Sequence, residues 1–199
     1  MLDALLVSLM ISGAPVLAAQ EDPTSNRVWV LKRSGVEVHD RKTGKTLAQV
    51  ALPGWQWADE MFACAPALAL GPKGEAIVSS NVLTTLWRVD PSSLAVSRHE
   101  PVLDVDQGKD IDFTGIAYVA EQGAYFAISQ FHGSLWRIDS QLKRAQRIPL
   151  SEQLRRVCGL EMQKKGRFVR LCVRGTDSAW TINLAPDQRS GYVHARPCE

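Results

Sequence analysis

A short sequence phrase recurs along this chain of 199 residues. In it, an apolar residue precedes tryptophan, and an aspartate or asparagine ends the phrase. It reads LWRVD at 86–90, LWRID at 135–139 and AWTIN at 179–183, and VEVHD at 36–40 is a weaker fourth copy. The final residues of successive copies are 50, 49 and 44 positions apart. A repeat of this length indicates one supersecondary unit copied several times, which restricts the chain to repeat architectures.

A second short motif recurs in register with the first. It is a polar triplet that ends in glycine, at 72–74, 121–123 and 164–166. Each copy separates two apolar runs, as a three-residue hairpin loop does when glycine takes the positive φ that closes it. Alternating or short apolar runs predict strands on both sides of these loops. The predicted strands are 67–70, 75–79, 115–120, 124–129 and 168–173.

A unit therefore contains a hairpin, the tryptophan phrase as a third strand, a polar turn and a fourth strand, such as 94–102 or 145–150. Four antiparallel strands in about 45 residues make up one blade of a β-propeller. We predict an all-β chain forming a small propeller of about four blades, at about 27–55, 59–103, 110–150 and 155–197. A sandwich of unrelated strands is the alternative, but it does not explain two motifs in register.

The first blade is predicted to be incomplete, because its first strand would lie near residues 14–21, within or beside a leader sequence. Unpaired backbone groups near the axis would then need a partner. Three arrangements are compatible with this prediction: a four-bladed ring with one short blade, an eight-bladed ring made by two chains, and a first blade completed by another protein.

Part of the chain resembles known propeller families. Residues 115–117 (GIA), the strand that follows and the phrase at 135–139 resemble the repeats of gluconolactonase-like, quinoprotein-like and NHL-type propellers. Residues 110–117 (DIDFTGIA) resemble a segment of esterase-like phytases, although Thr114 replaces that family's glutamate. The resemblance covers roughly residues 65–185 and implies architecture, since propellers with this pattern have many activities.

The first 19 residues resemble a secretory signal peptide. An apolar run at 4–12 is followed by Val16-Leu17-Ala18-Ala19, a small-residue cleavage site, although Asp3 stands where a basic residue is usual. The run is shorter than the roughly 20 residues of a membrane span. We therefore expect a periplasmic or secreted protein without a membrane span after cleavage, whose residues 20–199 form one domain.

The overall charge gives no support to nucleic-acid binding. The formal net charge is +2, from 23 basic and 21 acidic residues, and the basic residues are scattered along the chain. A nucleic-acid surface usually concentrates them on one face. We expect no nucleic-acid partner and no dedicated organic cofactor.

Export makes disulfides possible for the four cysteines. If Gln163 faces Arg167 across the loop at 164–166, Cys158 lies directly opposite Cys172, within disulfide distance. We predict this bridge, and a second one between the remaining Cys64 and Cys198. No Cys-x-x-Cys spacing suggests a metal site.

Loops from different blades that meet around the axis supply the candidate ligand-binding ring. The alignment of the units places acid, amide, imidazole and guanidinium groups there: Glu60, Asn81, Asp112, His132, Arg156 and Asp177. Such groups can orient a polar ligand or hold Ca²⁺. The acidic run at 104–112 also suggests calcium, but Lys109 occupies the glycine position of an EF-type loop. These residues equally fit an acidic, solvated loop.

The sequence favours an exported binding or accessory module that contacts another protein, a second copy or a small ligand. A calcium-assisted hydrolase or lactonase-like enzyme with an axial site is the alternative, and no catalytic residue can be assigned. Trp55 and Trp57 lie outside the repeated phrase and fit either a contact patch or packing beside the first blade. Trp87, Trp136 and Trp180 are expected to pack between blades.

Overall fold

The computed structural model describes residues 15–58, 64–104, 111–150, 154, 157–165, 168–175, 179–184 and 195–197. The described chain is built of strands, with one 3-10 turn at Ala120–Gln122. The strands form four antiparallel sheets in chain order, as the repeat predicts. No helix in these ranges is long and apolar enough to cross a membrane.

Sheet 1 contains four strands in the full chain, and its first strand lies beside the predicted leader, where the alignment of the units places it. The loss of this strand by cleavage stays a prediction. Its strands are β1 (Val16–Asp22), β2 (Arg27–Lys32), β3 (Gly35–Asp40) and β4 (Thr46–Val50). The inner strand β1 pairs with β2 from Val16 opposite Lys32 to Asp22 opposite Arg27, with one bulge. Residues 16–19, assigned above to the end of the leader, are thus paired in the sheet, while residues 1–14 lie outside the described ranges.

Sheets 2 and 3 repeat this meander, and sheet 3 gains a fifth strand. Sheet 2 contains β5 (Leu68–Leu70), β6 (Ala76–Val78), β7 (Leu86–Val89) and β8 (Val96–His99). Sheet 3 contains β10 (Gly115–Val119), β11 (Ala124–Ser129), β12 (Ser134–Asp139) and β13 (Arg144–Ile148), with β9 (Val102–Leu103) added parallel to β13. Gly74 and Gly123 have φ of 79° and 56°, so the predicted hairpin glycines are confirmed in both sheets.

Sheet 4 departs from the predicted register. It contains β14 (Val157–Lys165), β15 (Phe168–Gly175), β16 (Ala179–Leu184) and β17 (Ala195–Pro197). Lys165 pairs with Phe168 and Gln163 with Arg170, not with Arg167. Strand β14 continues through the lysines assigned to a three-residue loop, so the partners of residues 159–165 shift by three positions. Residue 172 consequently lies opposite Glu161 rather than opposite Cys158.

Neighbouring sheets pack face to face through apolar clusters. Trp87 is fully buried between sheets 1 and 2, and Trp136 between sheets 2 and 3, where its ring meets Phe113 edge to face at 6.5 Å. Trp180 packs partly buried against the cluster between sheets 3 and 4. The prediction that the repeated tryptophans pack between blades is confirmed. Among the described strands, no comparable packing joins sheet 4 to sheet 1.

The aspartate that closes the repeated phrase shapes the turn before the outer strand. Asp90 Oδ1 accepts hydrogen bonds from the backbone N–H groups of Ser92 and Ser93, and Asp40 and Asp139 accept equivalent bonds. These backbone bonds hold the pKa of the Asp90 carboxyl below its usual range. The repeated acid therefore has a structural role in turn formation.

Candidate functional site

Three members of the predicted ring, Asn81, Asp112 and His132, lie among the described residues. Glu60, Arg156 and Asp177 lie outside them, so the ring as a whole stays a prediction. The segments around Asn81 and Asp112 are adjacent, because the Ser80 carbonyl accepts the N–H of Phe113 at 2.9 Å. Sheets 2 and 3 thus bring two predicted site residues close together, at the end of the axis where their inner strands begin.

Asn81 is fully buried and its carboxamide binds backbone on both sides of residues 59–63. Its Oδ1 accepts the N–H of Ala58 at 2.9 Å, while Nδ2 donates to the carbonyls of Ala58 at 2.8 Å and Cys64 at 2.9 Å. Three hydrogen bonds satisfy most of what a carboxamide can form. Asn81 therefore holds the chain between sheets 1 and 2 in place.

Asp112 is a buried carboxyl whose two oxygens have different surroundings. Oδ1 accepts the Ser129 hydroxyl at 2.7 Å, whereas Oδ2 is buried without a hydrogen bond. Burial raises the pKa of Asp112, and hydrogen bonds from Ser129 and nearby backbone oppose this shift only partly. The group is positioned at the start of the inner strand of sheet 3, facing the loop after β11.

His132 lies in that same loop and is half-buried, with Nε2 lacking a hydrogen-bond partner. The loop is pressed against the chain entering sheet 4, since a Cβ added at Gly133 would overlap the carbonyl oxygen of Leu154. Thr114 is buried and donates to the carbonyl of Val157 at 3.1 Å. The threonine found in place of the phytase-like glutamate thus joins sheets 3 and 4.

The disulfide predictions were wrong in their pairing. Cys64 is bonded to Cys158, with Cα atoms 4.7 Å apart, so neither the predicted Cys158–Cys172 nor the predicted Cys64–Cys198 bridge forms. The three-residue change of register in sheet 4 removes Cys158 from its position opposite residue 172. Cys198 and the side chain of Cys172 lie outside the described structure.

This bridge connects the chain entering sheet 2 to the inner strand of sheet 4. Cys64 Sγ lies 3.2 Å from the carbonyl of Val157, the same carbonyl that accepts from Thr114. The beginnings of three inner strands therefore converge at one end of the axis, which we call the disulfide end. The opposite end, where the inner strands turn back in tight loops, we call the hairpin end.

A partly open cavity of about 770 Å³ lies among the inner strands, displaced toward the hairpin end. All four inner strands contribute to its wall, which identifies it as axial. Its lining residues are Ala19, Gln20, Glu21, Pro23, Ala69, Leu70, Ile116, Ala117, Tyr118, Gly159, Leu160, Glu161 and Met162. The three described members of the predicted ring, Asn81, Asp112 and His132, are not among them.

Sequence reasoning missed this cavity because it looked for chemistry in loops. The aligned units contained a usable signal, since the inner strands of sheets 1 and 4 each carry a glutamate and that of sheet 3 carries Tyr118. Inner strands border the axis of a propeller. Polar residues on them were therefore candidates for an axial wall.

Tyr118 belongs to a fixed group between sheets 2 and 3. Its ring lies 5.0 Å from that of Tyr125, whose hydroxyl donates to Glu75 Oε1 at 3.3 Å. Burial, followed by the nearby Glu75 charge, raises the pKa of Tyr125 far above its usual value, so the phenol is neutral. This packing supports the wall of the cavity beneath Tyr118.

Trp55 and Trp57 lie at the boundary of sheets 1 and 2. Their rings stack with centroids 6.0 Å apart, and the Arg33 guanidinium covers Trp57 at 5.6 Å. Trp55 Nε1 also donates to the Ser79 carbonyl at 3.1 Å. These contacts agree with the packing interpretation of the pair.

The described residues contain no group of three or more His, Cys, Asp or Glu side chains arranged to hold a metal ion. Calcium binding is thus left as the expectation stated from sequence. Asp112, with its unpaired oxygen, is the described member of the ring best suited to an additional ligand.

No protein-family model matches the chain, and no curated protein does. Several solved structures are similar to the chain. Virginiamycin B lyase from Staphylococcus aureus superposes with a TM-score of 0.67 at 12% identity, over 94% of this chain and 57% of the other. Hydrazine synthase from Kuenenia stuttgartiensis gives 0.65 at 14% identity, over 94% and 51%.

The chain has a β-propeller fold. TolB from Acinetobacter baumannii superposes with a TM-score of 0.57 at 16% identity, over 92% of this chain and 43% of TolB. An auxiliary nutrient binding protein from Bacteroides thetaiotaomicron gives 0.59 at 8% identity, over 86% and 39%. The propeller spans about half the length of the structures it matches, and these identities establish a shared fold alone.

Proposed function

We propose that this propeller is an exported binding module that holds a small ligand in its axial cavity. The cavity itself carries the proposal, because its volume falls within the roughly 300–1,000 Å³ of small-molecule sites and its wall mixes apolar with a few polar side chains. The disulfide between Cys64 and Cys158 is compatible with export. Similarity in fold to a nutrient binding protein is consistent with this role.

The side-chain contacts described at the disulfide end favour binding in the cavity over chemistry at that end. Asn81 and Thr114 direct their polar atoms to backbone groups of neighbouring segments. Side chains committed in this way stabilise the scaffold. An accessory role would add contact with another exported protein or with a second copy, which would complete the ring beside sheets 1 and 4.

The test is a thermal-shift screen of the whole chain against small molecules of each charge class. Ala117→Leu narrows the cavity, while Leu47→Ala changes a side chain that is 52% exposed on the outer strand β4. We expect at least one compound to raise Tm for the wild type and L47A but not for A117L. The proposal is rejected if no compound stabilises the protein, or if A117L responds as the wild type does.

A calcium-assisted hydrolase is the second candidate, and the unpaired Oδ2 of Asp112 favours it. A cation bound there would be removed by chelation. Calcium that raises Tm in the wild type, but not in Asp112→Asn, would support this alternative. A Tm unchanged by any divalent ion would count against it.

A further inference from the structure

The charged residues described in the cavity wall, Glu21 and Glu161, have one sign. Glu21 comes from the inner strand of sheet 1 and Glu161 from that of sheet 4, the first and last sheets in chain order. Among the described residues lining the cavity there is no lysine, arginine or histidine. Carboxylates contributed by separate strands can contact one bound cation from different sides.

Glu21 already binds a cationic group of the chain. Arg41 Nη2 lies 2.8 Å from Glu21 Oε2, and the arginine side chain is 49% exposed. An ion pair this open to water contributes little to stability. A ligand cation can therefore share the Glu21 carboxylate with the guanidinium, or replace the guanidinium, at small cost.

The rest of the wall suits an apolar body. Leu70, Ile116 and Leu160 contribute aliphatic surface, and Met162 is 37% exposed. Tyr118 adds an aromatic ring held against Tyr125. Aromatic faces attract ammonium and guanidinium groups, and methionine adapts to ligands of different shape.

We propose that the cavity binds a small organic cation, an ammonium group on an apolar body, with its charge between Glu21 and Glu161 and its body against Tyr118 and Leu160. This inference rests on the proposed function, since it names the ligand class of the same cavity. Binding requires no covalent step and no metal.

The experiment compares three probes of equal chain length by calorimetric titration of the full chain: n-hexylamine, n-hexanol and hexanoate. At pH 7 they are cationic, neutral and anionic. We expect hexylamine to bind at least tenfold more tightly than hexanol, with hexanoate weaker still. Added salt should weaken hexylamine binding and leave hexanol binding nearly unchanged.

Charge-removing variants test whether the preference for a cation depends on the charge of the two glutamates rather than on the shape of the cavity. Glu161→Gln and Glu21→Gln should each lower hexylamine affinity about fivefold or more without changing hexanol affinity. Glu100→Gln is the matched control, because Glu100 is an exposed glutamate paired with an arginine, Arg98, outside the cavity. Circular dichroism melting should show that all three variants remain folded.

Three outcomes would count against these proposals, and they have different meanings. If hexanol binds as tightly as hexylamine, or E161Q and E21Q leave the preference intact, the cation inference fails while a ligand cavity survives. If the broader screen yields no ligand and none of the three probes binds, the proposed function fails with it. Equal loss of affinity in E100Q would also overturn the assignment of the two glutamates.

Discussion

Asn81 Nδ2 donates a hydrogen bond to the backbone carbonyl of Cys64 at 2.9 Å, inside the protein. The same side chain binds Ala58 through both of its polar atoms, so one carboxamide fixes the two segments that flank residues 59–63. Cys64 is in turn bonded to Cys158 in sheet 4. A single amide thereby positions one half of a long-range covalent link.

Replacing Asn81 with alanine should destabilise the protein. The change removes the partner of three backbone groups, the buried carbonyl of Cys64 and the partly buried N–H and carbonyl of Ala58. We therefore expect a loss of about 2–4 kcal/mol in the free energy of unfolding. Urea denaturation measures it. Asn26→Ala is the control, because Asn26 donates to Asp40 at an exposed site and should cost less than about 1 kcal/mol.

Peptide mapping without reduction should recover one peptide pair linked through Cys64 and Cys158. The 94-residue separation implies that removal of this bridge costs about 4–5 kcal/mol in the chain-entropy model. Cys64→Ser, Cys158→Ser and the double variant should be destabilised to a similar extent. A linked peptide containing Cys158 and Cys172 would contradict the assignment.

Alanine at Gly71 should be poorly tolerated. The added Cβ would overlap the Tyr125 hydroxyl and the Glu75 carboxylate, both in the packed interior, so we expect a loss of more than 2 kcal/mol by chemical denaturation. Gly123→Ala provides the comparison. Its Cβ would meet nothing within 4 Å, so only the φ of 56° matters, at about 1–2 kcal/mol. Equal costs for both variants would disprove this packing argument.

Asp112 should make stability fall as pH rises above about 4, the ordinary aspartate value. Burial raises its pKa in the folded protein, so between the unfolded and folded pKa values the folded state keeps a proton that the unfolded state releases. Urea titrations from pH 4 to 7 should show this decline. Asp112→Asn should lack that part of the slope; an identical slope in both proteins would refute it.

Asp22 should show the opposite dependence. Desolvation opposes ionisation, but hydrogen bonds from Ser25 and Thr24 dominate and lower its pKa. The stabilisation is complete above the unfolded pKa, near 4, and is lost as pH falls through the lower folded value. The stability difference between wild type and Asp22→Asn should therefore shrink from pH 5 to 3. A constant difference would exclude this linkage.

The fold could be predicted because the repeated residues act locally, on turn geometry and on burial, and because their effects agree from one unit to the next. Gly74 and Gly123 adopt the positive φ that closes a hairpin, and Trp87 and Trp136 fill inter-sheet contacts. Local turn geometry and burial are properties that single positions reveal. The four-sheet architecture followed from counting them.

The errors involve relationships that single positions do not determine. The pairing of Cys158 depended on where β14 ends, and a three-position shift replaced its partner. The cavity lies along the inner strands, and its existence depends on how the four sheets pack around the axis, which no single position determines.

The bridge between Cys64 and Cys158 also encloses all of sheets 2 and 3 in one covalent loop. A protease that cuts a single peptide bond between these residues would open that loop but leave both fragments attached to each other. The protein can thus survive such a nick as one molecule, whereas a cut before Cys64 would leave sheet 1 held by packing alone.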